Sequence, residues 1–129
     1  MIEDGVIVDT SVFIDFFKGS DKIAKEVTKL LETNRVISTG IIIAELMQGI
    51  KKTNEEEQIK YLLTGVSILE ISTPLWFKVG RLSSSLRRKG INIPLTDTAI
   101  AILALEYDLV LFTLDSHFKQ IPNLKLHSF

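Results

Sequence analysis

The chain has 129 residues, 46% hydrophobic and 24% charged, enough for one packed core and too short for two full domains. It has no cysteine, which excludes disulfide frameworks, thiolate metal centres and cysteine nucleophiles. Its net charge of −1 argues against a strongly basic, non-specific nucleic-acid binder.

The acidic start has no basic segment followed by an apolar run, so no signal peptide is expected. Val6, Ile7 and Val8 form a short β-branched run, the pattern of a strand buried on both faces in a parallel sheet. Asp9 ends it. Thr10 and Ser11 offer an N-cap to a short helix over 12–17, which Gly19 and Ser20 break. Residues 21–32 place Ile23, Val27, Leu30 and Leu31 on one helical face. Asn34 and Arg35 mark a turn into a second strand, 36–38. Gly40 opens a helix through Glu45 and Met47, ending near Gly49. Asn54 caps a helix over 55–63, with glutamates in its first turn where the helix dipole favours them.

A third strand is predicted over 66–71. Thr73 and Pro74 begin a long helix to about Lys89, with Gly90 just past its end. A loop carrying Pro94 leads into an apolar, buried helix over 97–106. A fourth strand over 109–112, a helical turn over 116–119 and a candidate fifth strand over 124–126 complete the chain. The apolar stretches 36–47 and 99–114 are interrupted by polar residues and fall short of the roughly 20 residues a membrane helix needs. A cytoplasmic protein without a membrane span is expected. Alternating strands and helices predict one α/β domain over 1–129: a three-layer α/β/α sandwich around a parallel sheet of four to five strands.

Ligands of such sheets sit beyond the carboxyl ends of the strands. Asp9 follows the first strand and Asp115 the fourth. Asp97 opens the buried helix, and Glu45 lies in an otherwise apolar segment. Each also has a structural reading. Asp9 could form an Asx-turn, Asp97 could sit in a first turn beside a Thr96 cap, Asp115 could cap the turn after it, and Glu45 could reach solvent. Gathered together, four carboxylates would repel one another, and a hard divalent cation such as Mg²⁺ or Mn²⁺ is the simplest compensation. His117 and His127 lack metal-ligand spacing. Surface or packing roles are expected for both, although His117 could approach Asp115. Arg81, Arg87, Arg88, Lys89, Lys51 and Lys52 either track a nucleic-acid backbone or form solvated helix faces. Among the aromatics, Phe13, Phe16 and Phe17 divide between core and a docking groove. Packing is expected for most of these and for Trp76 and Phe77.

Taken together, strand-Asp9-Thr10-Ser11, Glu45 in the third helix, Asp97 in Thr-Asp-Thr-Ala-Ile-Ala, and Asp115 in Thr113-Leu-Asp-Ser-His-Phe118 resemble a PIN domain. The chain is most similar to the small toxins of the VapC type in toxin–antitoxin pairs, over residues 6 to about 127. The resemblance implies a metal-dependent ribonuclease that leaves 5′-phosphate and 3′-hydroxyl ends. It assigns Asp9, Glu45, Asp97 and Asp115 as the catalytic acids. Asp9 and Asp97 would be principal Mg²⁺ or Mn²⁺ ligands, Asp115 a ligand of the same or a second ion, and Glu45 a residue acting through water. Ser11 and Thr113 take the supporting hydroxyl positions. An RNA substrate, a cognate antitoxin protein and a homodimer are implied partners. The alternatives are a PIN nuclease acting in RNA processing or on structured DNA, a phosphoacceptor receiver-like domain, and a binding module whose acids only cap helices. The receiver-like reading is disfavoured because the strand endings at Ser38 and Ile71 carry no acceptor Asp.

Overall fold

Three short strands, Val-Ile-Val, Val-Ile-Ser and Val-Leu-Phe, build the centre of the molecule. The structure is a computed structural model and describes residues 4–129; Met1, Ile2 and Glu3, part of the acidic start, lie outside it. Strand β1 (Val6–Val8) leads into helices α1 (Thr10–Phe17) and α2 (Asp21–Glu32), then β2 (Val36–Ser38). Helices α3 (Gly40–Gln48) and α4 (Thr53–Leu63) lead to β3 (Ser67–Ile68). Helices α5 (Thr73–Arg88) and α6 (Leu95–Glu106), then β4 (Val110–Phe112) and a 3₁₀ turn (Ser116–Gln120), follow.

The sheet is parallel throughout, in the order β3-β2-β1-β4. Ile7 stands opposite Ile37 on one side and Leu111 on the other, and all three are fully buried. Right-handed crossovers put α1 to α4 on one face, since β1, β2 and β3 progress in one direction. The return to β4 puts α5 and α6 on the other. The contacts agree: α1 packs on α2 and α3, α3 on α4, and α5 on α6. Helix α6 is buried at every position from Thr98 to Ala104, as its run of Ala, Ile and Leu requires.

Helix ends are fixed by local chemistry. Past α5, Gly90 takes φ +78°, its N–H donates to the Arg87 carbonyl and the Ile91 N–H reaches back to Leu86, both at 2.9 Å. These paired bonds satisfy carbonyls that the helix leaves open. Asn34 and Asp108 close α2 and α6 in the same left-handed way, which Asn and Asp tolerate best after glycine.

Several predicted bounds shift. Helix α1 starts at Thr10, with Asp9 in the N-cap position; α4 starts at Thr53 and α6 at Leu95. The third strand keeps only two exposed residues, because β2 ends at Ser38 and supplies no partner beyond the bond from the Leu69 N–H to the Ser38 carbonyl. The fifth strand reduces to a single bridge between Leu111 and Leu126, next to the left-handed Asn123. The sheet therefore has four strands. Trp76 and Phe77 are not packed inside: they stand 45% and 65% exposed on α5.

Candidate active site

The strand order turns back at β1, whose two neighbours β2 and β4 are reached by opposite crossovers. The carboxyl ends of β1 and β4 therefore flank a crevice, the place where such sheets bind ligands. The Asp9 N–H donates to the Phe112 carbonyl at 2.9 Å and seams the two strand ends together.

Asp9 is only 3% exposed. Its Oδ2 accepts hydrogen bonds from Ser11 Oγ at 2.9 Å and Thr113 Oγ1 at 2.8 Å. Each hydroxyl spends its one proton on Asp9 and accepts a backbone N–H in return. Leu114 N–H donates to Ser11 Oγ and Asp115 N–H to Thr113 Oγ1, both at 3.1 Å. The loop after β4 is thereby tied to the carboxylate after β1. Neither an Asx-turn nor a cap describes Asp9, since it makes no side-chain cap bond. Among the described residues no hydrogen bond engages its other oxygen.

Glu45 projects from α3, half-buried, and its Oε1 accepts from Thr10 Oγ1 at 2.7 Å. Thr10, expected as a cap, instead aims the glutamate with its hydroxyl. Asp97 lies in the first turn of α6, after Pro94 rather than a Thr96 cap, with a side chain 14% exposed. Burial pushes its carboxyl above the usual carboxylate range. The bond from His117 opposes this, and the charges of Asp9 and Glu45 reinforce it. Three of the four acids therefore share one electrostatic neighbourhood. Asp115 is exposed, makes no cap bond with its side chain, and is not among the charges felt at Asp97.

His117 packs its ring on Phe118, within the reading given to it, and also makes a contact that reading missed: its Nε2 lies 2.8 Å from Asp97 Oδ2. The available signal was its neighbour Phe118: a buried aromatic in a single turn after Asp115 fixes how residue 117 faces. His127 does pack, against the rings of Phe112 and Phe129.

The donor set is all oxygen and hard. Among the described residues no three Asp, Glu or His side chains close around one point, so there is no protein cage for an ion. Mg²⁺ asks for none: one or two carboxylates, several waters and a substrate phosphate suffice. Asp9 and Asp97, mutually repelling and each with one oxygen already hydrogen-bonded, fit that demand.

A test follows from the raised Asp97. The native state holds this proton more tightly than the unfolded chain does. Its contribution to stability is full below the ordinary carboxylate range and is lost as pH rises through the native value. In EDTA, wild type is expected to melt lower than Asp97→Asn at pH 7.5, with the gap closing as pH falls to 4. Equal melting temperatures at pH 7.5 would rule out repulsion at Asp97.

A family model described as the PIN domain matches residues 6–124. The chain is 29% identical over 128 residues to ribonuclease VapC2 of Rickettsia felis, covering 95% of this chain and 96% of that protein. It is 30% identical over 125 residues to ribonuclease VapC1 of Haemophilus influenzae, covering 92% and 93%. Among solved structures, VapBC2 of Rickettsia felis, crystallised with a DNA fragment from its promoter, superposes with a TM-score of 0.83. That match has 26% identity and covers 96% of this chain and 98% of that one. With four parallel strands, the crevice between β1 and β4 and the clamped Asp9 in place, the chain belongs to the PIN domain family, in its VapC branch.

Proposed function

We propose that the chain is a divalent-metal-dependent endoribonuclease, a single PIN-like domain over 1–129, and the toxin of a toxin–antitoxin pair. The observation that carries this is Asp9, buried beyond β1, held by two hydroxyls, and sharing its field with Asp97 and Glu45. Its kinship with VapC ribonucleases and with the VapBC2 assembly supports it.

Asp9 and Asp97 would hold the cation, Mg²⁺ or Mn²⁺. Asp115, on the exposed loop after β4, would be a ligand of the same or a second ion. Glu45, aimed by Thr10, would act through a water or orient the nucleophile. A bound divalent cation supplies an activated water and offsets charge at the phosphate. Ser11 and Thr113 keep Asp9 in one orientation, so that no reorganisation is needed as substrate enters.

The exposed cations Arg81, Arg87 and Arg88 of α5 suit an RNA backbone. An apolar cleft lined by Ile14, Phe17, Leu46, Ile50 and Ile59 also includes Glu45, so an antitoxin segment lying there reaches the acids. The uncovered Trp76 and Phe77 suit a homodimer face. No helix among the described residues is long and apolar enough to cross a membrane. Kinship with the VapC ribonucleases supports a cytoplasmic site of action.

Cleavage of a defined RNA panel, including tRNAs and ribosomal stem-loops, tests the reading. Cutting with Mg²⁺ or Mn²⁺ that EDTA abolishes is expected, from a species whose light-scattering mass is that of two chains. Cutting that persists in EDTA would overturn the metal role. Metal-dependent cutting of structured DNA alone would move the protein outside RNA toxins.

A further inference from the structure

The acids account for three of the elements at the crevice. The 3₁₀ turn Ser116–Gln120 supplies a fourth, and it carries the one imidazole there. His117 Nε2 lies 2.8 Å from Asp97 Oδ2 across 20 residues of sequence. We infer that His117 is a positioning residue: by donating its Nε2–H to Asp97 Oδ2, it turns the other oxygen of Asp97 toward the cation. The inference rests on the proposed metal-dependent reading and adds a residue to it.

The geometry favours this role. Asp97 has a side chain 14% exposed and faces the charges of Asp9 and Glu45. Among the described residues, His117 is the only side chain that hydrogen-bonds to its carboxylate. A carboxylate with two free oxygens can rotate about its terminal torsion, which is broad and roughly two-fold. One with Oδ2 held cannot rotate without breaking a short bond. His117 is itself anchored. Its ring packs on Phe118 at 4.8 Å between centroids, and Phe118 is fully buried. The bond therefore joins a rigid plug in the core to the carboxylate on α6. It also fixes the turn that follows Asp115 to the helix that bears Asp97. Ser11 and Thr113 do the same for Asp9. Each of the two central carboxylates thus has one oxygen committed to the protein and one left over. Partners of this kind, behind a metal-binding group, typically change metal affinity or activity by about 10- to 100-fold when removed.

The test compares wild type, His117→Ala and His117→Gln, whose amide nitrogen sits near the imidazole Nε2 position. Mn²⁺ binding is followed by isothermal titration and by the paramagnetic signal of free Mn²⁺. Melting in EDTA checks that each variant is folded, and cleavage rates are measured at saturating metal and at limiting metal. His117→Ala is expected to bind Mn²⁺ about 10- to 100-fold more weakly, with much of its cleavage recovered at saturating metal. His117→Gln should lie within a few-fold of wild type in both. Equal Mn²⁺ affinity in wild type and His117→Ala would overturn the inference while leaving the nuclease reading intact. So would His117→Gln binding as weakly as His117→Ala. A wild-type protein that binds no Mn²⁺ would remove the metal-dependent reading, and this inference with it.

Discussion

Asp9→Asn should abolish RNA cleavage, lowering the rate at least about 100- to 1,000-fold, the range for losing one preorganised electrostatic group at a reacting centre. The substitution preserves shape and removes a charge, so its effect follows from hydrogen bonding. Oδ2 must accept two hydroxyls, from Ser11 and Thr113. If the amide oxygen of the substituted side chain takes that place, its NH₂ points where the cation needs an oxygen. If the amide flips, the NH₂ faces two hydroxyl protons, and Ser11 and Thr113 must turn away from the acceptor they had. Neither orientation serves. The fold should survive, because one member of a repelling group of acids has been neutralised. Rates on the RNA panel with Mg²⁺, alongside melting in EDTA, check both halves. An Asp9→Asn protein that still cleaves within a few-fold of wild type would remove Asp9 from the site.

The largest effect on stability is expected at Phe112. The ring is fully buried at the end of β4, with centroids 4.8 Å from His127 and 4.9 Å from Phe129. Truncating a buried Phe to Ala removes its transfer free energy and leaves a cavity, costing about 3–5 kcal/mol. That is a large share of the roughly 5–15 kcal/mol that holds a domain together. Phe77→Ala, at a ring 65% exposed, should cost under about 0.5 kcal/mol and serves as the comparison. Urea denaturation should give Phe112→Ala a much lower midpoint with an unchanged slope. Because the Phe112 carbonyl receives the Asp9 N–H and Thr113 is the next residue, the surviving folded fraction should also cleave more slowly. A loss below about 1 kcal/mol would mean that the C-terminal aromatics can close over the gap.

Most of the fold is legible in the sequence because β1 and β2 are short, rich in β-branched residues and buried on both faces, and because its helices are punctuated. Residues 21–32 show a clean apolar stripe and end at Asn34, and α2 follows those bounds. Edges read less well. The 66–71 segment has the composition of a strand, yet a strand extends only as far as its partner does, and β2 stops at Ser38. The apolar character of Trp76 and Phe77 predicts packing, but composition cannot tell a core face from a face awaiting another molecule. At the candidate site, Asp9, Glu45 and Asp97, which the structure brings into one neighbourhood, stand out in the sequence from their places after a strand and within helices. Their supports are partly visible. Ser11 and Thr113 stand at supporting hydroxyl positions, whereas Thr10 resembles a cap and His117 a surface or packing residue. Both missed contacts share a cause: Thr10 meets Glu45 across 35 residues and His117 meets Asp97 across 20. Such pairs are set by tertiary geometry rather than by local sequence.

The clamp on Asp9 has a consequence for the birth of the protein. Thr113 reaches Asp9 across 104 residues, and β1 keeps one flank bare until β4 arrives. Chains are made from the amino terminus, and early segments leave the ribosome first. A nascent chain that has already released Asp9, Glu45 and Asp97 still lacks the hydroxyl, the seam and the loop that give Asp9 its orientation. It carries three acids but no finished crevice. A nuclease built this way stays harmless to the ribosome that is making it, and becomes competent only once nearly the whole chain has emerged.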